Sequence, residues 1–159
     1  MIVGMGEAHC DIIEVAKRLR KIKAASIPVN LLVPIAGNQM SQPKNMSPQF
    51  VLRVLCLFRF LNPQAEIRAA AGREGHLRSM EVMALYPANS LFLQGYLNTK
   101  GSSNARTLRM IKDAGFEIKS DVCIDDLLKD MGQTEDGFAV DDAKVMIKGL
   151  KDLRPALNT

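Results

Sequence analysis

The sequence predicts an α/β fold built on parallel strands. Short apolar runs alternate with amphipathic stretches of helical period along the chain, the order expected of βαβ units. The run Ile27–Ile35 (IPVNLLVPI) is nearly continuously apolar and contains Pro28 and Pro34, so it suits a strand buried on both faces and not a helix. Ser47-Pro48 then reads as a helix start, with Ser as the N-cap and Pro at the first helical position.

Ile2 and Val3 lead into Gly4-Met5-Gly6-Glu7, the end of a strand followed by a glycine-rich turn. Asp11 to Ala25 predicts a helix. Ile12, Val15, Ala16, Leu19 and Ile22 recur at three and four, while Lys17, Arg18, Arg20, Lys21 and Lys23 fall mostly opposite. After the strand Ile27–Ile35 comes a long polar loop, Ala36–Met46. The helix opened by Ser47 runs to Leu61 with Val51, Val54, Leu55, Phe58 and Leu61 inward, and Asn62-Pro63 ends it.

Ala65–Ala71 (AEIRAAA) predicts a third strand, followed by Gly72-Arg73-Glu74-Gly75 and a helix from His76 to Leu85. Asn89–Leu93 predicts a fourth strand. A Gly/Ser/Asn-rich loop, Gln94–Asn104, leads to a helix ending at Ala114-Gly115, and Phe116–Ile118 to a short last strand. Ser120–Thr159 changes character: it is acidic first, then forms an amphipathic helical pattern over Val140–Leu153. It is expected to be a C-terminal extension of a domain over residues 1–119. So few strands cannot close a barrel of about eight, so the strands form either a small open sheet or part of a larger one.

Composition narrows the function. In 159 residues, 47% are apolar and 24% charged, ordinary values for a folded domain. No apolar run approaches the ~18 residues of a membrane span. The opening MIVGMGE lacks a basic n-region and a long apolar stretch, so it does not read as a signal peptide. A cytoplasmic protein without a membrane partner is expected. The net charge of +4 is spread over several segments, and aromatics are 5% with no Trp, which argues against a nucleic-acid partner. Cys10, Cys56 and Cys123 match no zinc or cluster spacing, and His9 and His76 have no ligand at metal-binding spacing.

The polar residues on strands are the informative ones. In Ala65–Ala71 the period of two puts Ile67, Ala69 and Ala71 on one face and Glu66, Arg68 and Ala70 on the other. A mid-strand Arg is costly unless paired. Arg68 is either in an ion pair, for instance with Glu66, or meets something anionic or ligating. Asn30 shares its face with Pro28 and Leu32. It either ties strand-end backbone or presents its amide to a ligand with paired donors and acceptors, such as a urea. Gly4-Met5-Gly6-Glu7 and Gly72-Arg73-Glu74 fall at the C-terminal ends of strands, where α/β sites gather.

IVGMGE, IPVNLLVPIAGN, LRVLCLFRFLNPQAEIRAAAGRE, LRSMEVMALYPANSLFLQGYLNTKG and MIKDAGFEI, in this order, resemble the C-terminal half of the biotin synthase family. The likeness runs from Ile2 to Ile118 and leaves the tail uncovered. It implies a radical S-adenosylmethionine enzyme on a (β/α)8 TIM barrel, of which this chain supplies roughly the C-terminal half. It implies sulfur insertion into dethiobiotin, the last step of biotin formation, with S-adenosylmethionine, a [4Fe–4S] cluster and a [2Fe–2S] cluster as cofactors. An electron donor such as flavodoxin or ferredoxin and a homodimeric state come with it.

The resemblance carries roles to named residues. Arg68 matches an arginine ligand of the [2Fe–2S] cluster. Asn30 matches a substrate-contacting Asn, and Thr99 a threonine near the substrate carboxylate. Ile2, Val3 and Gly4 match the segment that binds S-adenosylmethionine. Asn98 and Gly37-Asn38-Gln39 depart from the family pattern. The family's CxxxCxxC loop has no counterpart here, and none of the three cysteines matches a cluster ligand. The expectation is a chain that is inactive alone. The competing expectations are a sister radical S-adenosylmethionine enzyme and a non-catalytic α/β protein.

Overall fold

The computed structural model describes residues 1–34, 46–93 and 101–132. Four strands, β1 (Ile2–Val3), β2 (Ser26–Leu31), β3 (Glu66–Ala69) and β4 (Ser90–Leu91), form a sheet in the order β1-β2-β3-β4. All three pairings are parallel. The expected α/β class with parallel strands is therefore observed, and spatial order repeats chain order.

The helix α1 (His9–Lys21) begins where the Asp11 carboxylate accepts a 2.8 Å hydrogen bond from the Ala8 amide. Asp11 in the first turn and Arg18, Arg20 and Lys21 in the last suit the helix dipole. It ends four residues before the expected Ala25, and Ile22 is left 71% exposed beyond it. Lys23, at φ 53°, turns the chain toward β2.

The helix α2 (Pro48–Leu61) has the expected bounds. The Ser47 hydroxyl accepts from the Phe50 amide at 3.2 Å, and Pro48 occupies the first turn. Val51, Val54, Leu55 and Phe58 are buried, while Cys56 is only half-buried. At its end Arg59 donates to the carbonyls of Pro63, Ala65 and Pro87 and to Asn89 Oδ1. This fixes the N-terminal ends of β3 and β4 to the helix layer.

Alternation along the strands sends Val3, Ile27, Val29, Leu31, Ile67 and Ala69 to one face. There they join Ile12 and Ala16 of α1 and Val51, Val54, Leu55 and Phe58 of α2 in the main core. The helices thus cover one face of the sheet with apolar surface.

Two further expectations are corrected. The expected helix His76–Leu85 is instead a short α3 (Arg73–Leu77) followed by a 3-10 helix (Arg78–Leu85). Arg78, at φ 51°, breaks the α-helical path between them. Phe116–Ile118 is not a strand. The helix α4 (Asn104–Asp113) ends at Ala114, with Gly115 at φ 74°, and Phe116 then packs edge-on against Tyr86. Phe116 and Ile118 join a second apolar cluster formed by Leu85, Leu108, Ile111, Ile124 and Leu128. Ile124 and Leu128 belong to α5 (Ile124–Asp130). The first part of the expected extension therefore packs on α4. The helical pattern of Val140–Leu153 lies outside the described residues.

Candidate functional site

The second face of the sheet carries the polar strand residues. Register places Ile2 beside Asn30, Ser26 beside Glu66, Pro28 beside Arg68, and Arg68 beside Ser90. Neighbours in register on parallel strands share a face, so Asn30, Glu66, Arg68 and Ser90 form one group. Each of the four is half-buried, in contrast to the sealed apolar residues between them.

Arg68 sits at the centre. Its Nη2 donates to Glu66 Oε1 at 2.7 Å and its Nε donates to Ser90 Oγ at 3.0 Å. Its Cζ lies 5.7 Å from the centre of the Phe92 ring. Nη1 is the corner of the guanidinium with no partner among the described residues. Of the two sequence alternatives, the ion pair with Glu66 is present, and it leaves one edge of Arg68 for another group. Hydrogen bonds from Arg68 and from the Ser90 and Ser26 hydroxyls hold the Glu66 carboxyl down to about 2. Glu66 is therefore a fixed negative charge throughout the physiological range.

Asn30 bridges its two neighbouring strands. Its Nδ2 donates to the Met1 carbonyl at 3.4 Å, and its Oδ1 accepts from the Ala71 amide at 3.3 Å. Both bonds are long and both go to backbone, so the amide ties down the strands that flank it. Of the two readings of Asn30, strand tying is the one present among these contacts.

Ile2 and Val3 separate. Ile2 is on the polar face and 48% exposed, whereas Val3 is fully buried in the core on the other. Val3 can offer a ligand only its main chain, and its carbonyl already accepts from the Leu32 amide. At Gly4, φ is 102°, and an added Cβ would lie 3.0 Å from the Met46 side chain. The Glu7 carboxylate closes this turn, accepting from the amides of Gly4 at 2.7 Å and Met5 at 2.8 Å. Thr99 lies outside the described residues, as do Asn98 and Gly37-Asn38-Gln39.

Sequence reasoning missed the roles of three residues around Arg68. Ser90 and Phe92 become its partners only through the register of β3 and β4, which a single sequence does not reveal. Arg73 is 1% exposed and paired at 2.9 Å with buried Glu81. The spacing Arg73 to Glu81 is a faint signal that helical periodicity obscured. Gly72 before it has φ 81°, and any Cβ would lie 2.5 Å from the Leu31 carbonyl, so this turn requires glycine.

Among the described residues no group of three or more His, Cys, Asp or Glu could hold a metal ion. Cys10 and Cys123 are exposed. The described residues alone do not fit an iron–sulfur cluster. Among the described residues, no helix is long and apolar enough to cross a membrane.

Comparison with known proteins places this chain in a family. The Biotin and Thiamin Synthesis associated domain matches residues 28–117, more than half of the chain. A biotin synthase of Acaryochloris marina is 52% identical over 124 residues, 78% of this chain and 36% of that protein. One from Magnetococcus marinus is 54% identical over 119 residues, covering 75% and 37%. One from Leptospira interrogans is 53% identical over 116 residues, covering 73% and 33%. The chain spans about a third of the length of the curated relatives it matches.

Proposed function

Because the chain belongs to the Biotin and Thiamin Synthesis associated domain family, we propose that it serves biotin formation as part of a biotin synthase. In this reading its sheet is an arc of a (β/α)8 barrel, with residues 1–119 as barrel wall and 120–159 as an extension. The polar face looks into the lumen. The complete enzyme inserts sulfur into dethiobiotin, in the cytoplasm, as a homodimer served by a flavodoxin- or ferredoxin-type donor. When bound there, S-adenosylmethionine with a [4Fe–4S] cluster supplies a hydrogen-abstracting radical, and a [2Fe–2S] cluster supplies sulfur.

The residues of this chain divide the remaining work. Arg68 would hold the smaller cluster through Nη1, which has no partner among the described residues, while Glu66 and Ser90 hold its other two nitrogens. Asn30 stands one strand away, where an amide can face the ureido group of the substrate. Ile2 gives apolar surface to the adenine, the turn at Gly4 lets backbone approach it, and Thr99 meets the substrate carboxylate. In this reading the chain by itself is expected to be inactive.

The observation that carries this reading is the asymmetry of the sheet. Helices seal one face, and the other presents Asn30, Glu66, Arg68 and Ser90 together. The test is Arg68→Met in the complete enzyme with both clusters assembled. The expected outcome is an altered absorption and paramagnetic spectrum of the smaller cluster and about tenfold or greater loss of turnover. Unchanged spectra and turnover would remove Arg68 from the site.

A further inference from the structure

We infer that Arg73 is a positioning residue for Arg68 and acts through Phe92. The inference rests on the reading of Arg68 above for its catalytic consequence, but not for its geometry.

Three arms of Arg73 are each engaged. Nε donates to Glu81 Oε1 at 2.9 Å, Nη1 to the Phe92 carbonyl at 2.9 Å and Nη2 to Glu74 Oε1 at 3.0 Å. A fully buried guanidinium is tolerated only where its charge is matched, and Glu81, 3% exposed, matches it. The Phe92 bond is the one a salt bridge does not require. It fixes the carbonyl of the residue that follows β4. On its other side the Phe92 amide donates to the Ala69 carbonyl at 3.3 Å. Residue 92 is thus clamped between the first residue of α3 and the β3 strand.

This clamp decides where the Phe92 ring lies. Phe92 shares a face with Ser90, two residues earlier, and Ser90 is the register partner of Arg68. The ring packs at the Arg68 guanidinium, as Ser90 and Glu66 hold two of its nitrogens. Edge bonds alone leave a guanidinium free to pivot on its long side chain, and a ring beside it removes that freedom. Glu74 extends the frame, since its Oε1 also accepts from the Ser102 amide at 3.3 Å. The chain entering α4 is therefore tied to the same hub. Arg73 touches neither face of the open site, and its influence on Arg68 passes through backbone and ring.

The test compares Phe92→Leu, Arg73→Lys and Ser47→Ala, the last a destabilising cap control that makes none of the Arg68 contacts. In the 159-residue chain, hydrogen exchange at the Arg68 Nε–H is followed by nitrogen-resolved NMR beside thermal stability. Phe92→Leu keeps the backbone carbonyl but removes the ring; it is expected to speed exchange at this site about tenfold or more while folding is retained. Arg73→Lys, which keeps charge but loses the fork, is expected to do the same with a larger loss of stability. Ser47→Ala is expected to lower stability without a selective change at Arg68. Exchange at Arg68 that is unchanged in Phe92→Leu, or that merely follows stability across all three variants, overturns the inference. Should Arg73→Lys fail to fold, Phe92→Leu decides. In the complete enzyme, Arg73→Lys is expected to lower kcat with the KM for dethiobiotin unchanged. Faster Arg68 exchange with full turnover would uphold the positioning role and instead overturn the catalytic reading of Arg68.

Discussion

The two faces of this one sheet follow opposite rules. Toward the helices, Val3, Ile27, Val29, Leu31, Ile67 and Ala69 are sealed against α1 and α2, and shape and apolar area decide what fits. On the other face the same strands carry Asn30, Glu66, Arg68 and Ser90, half-buried and joined by directional bonds. Residues one step apart in sequence thus answer to different demands. Stability is concentrated on the first face and chemical character on the second.

Substitutions can break or sharpen that contrast. The largest effect is expected from Phe58→Ala, which empties the centre of the helix-covered face. The Phe58 side chain is fully buried, and its loss should cost about 3–5 kcal/mol in denaturant unfolding. On the open face, Asn30→Ala removes two long backbone bonds and should cost about 1 kcal/mol in the same measurement. Equal costs for the two would dissolve the division.

A smaller effect, screened by solvent at this partly exposed pair, and the most diagnostic one, concerns Glu66. Its carboxyl is held at about 2, below its ordinary value of 4.5. A depressed carboxylate contributes stability that is present above the unfolded value and is lost as pH falls through the folded one. Unfolding measured from about pH 5 down to about pH 2 should therefore show a decline in the parent chain that is flatter in Glu66→Gln. Identical slopes would show that Arg68 and the two serines do not hold this carboxylate.

Much of the first face was legible in the sequence. The Ser47-Pro48 cap and the stripe Val51, Val54, Leu55 and Phe58 are local signals, and both appear in α2 as expected. Alternation of residue types alone separates Ile67 and Ala69 from Glu66 and Arg68, and β3 keeps that division. The second face was legible only within each strand. That Arg68 meets Ser90 and Phe92 depends on how β3 and β4 slide past each other, which no local pattern states. Phe116–Ile118 failed for a related reason. Its apolar residues suit a strand, but they find their partners in Tyr86 and the cluster around Leu108 instead of in a ladder. Arg73 was hidden because a buried ion pair resembles ordinary charged helix residues until the fold closes over it.

The order of the strands has one more consequence. Among the described strands, each neighbour in space is also the next neighbour along the polypeptide, so none of these strands must wait for a distant one. A nascent chain emerging from the ribosome can dock α1 and β2 onto β1, then α2 and β3 onto β2, growing by accretion like courses of brick. Each step closes one crossover connection, and each new strand finds its template already standing.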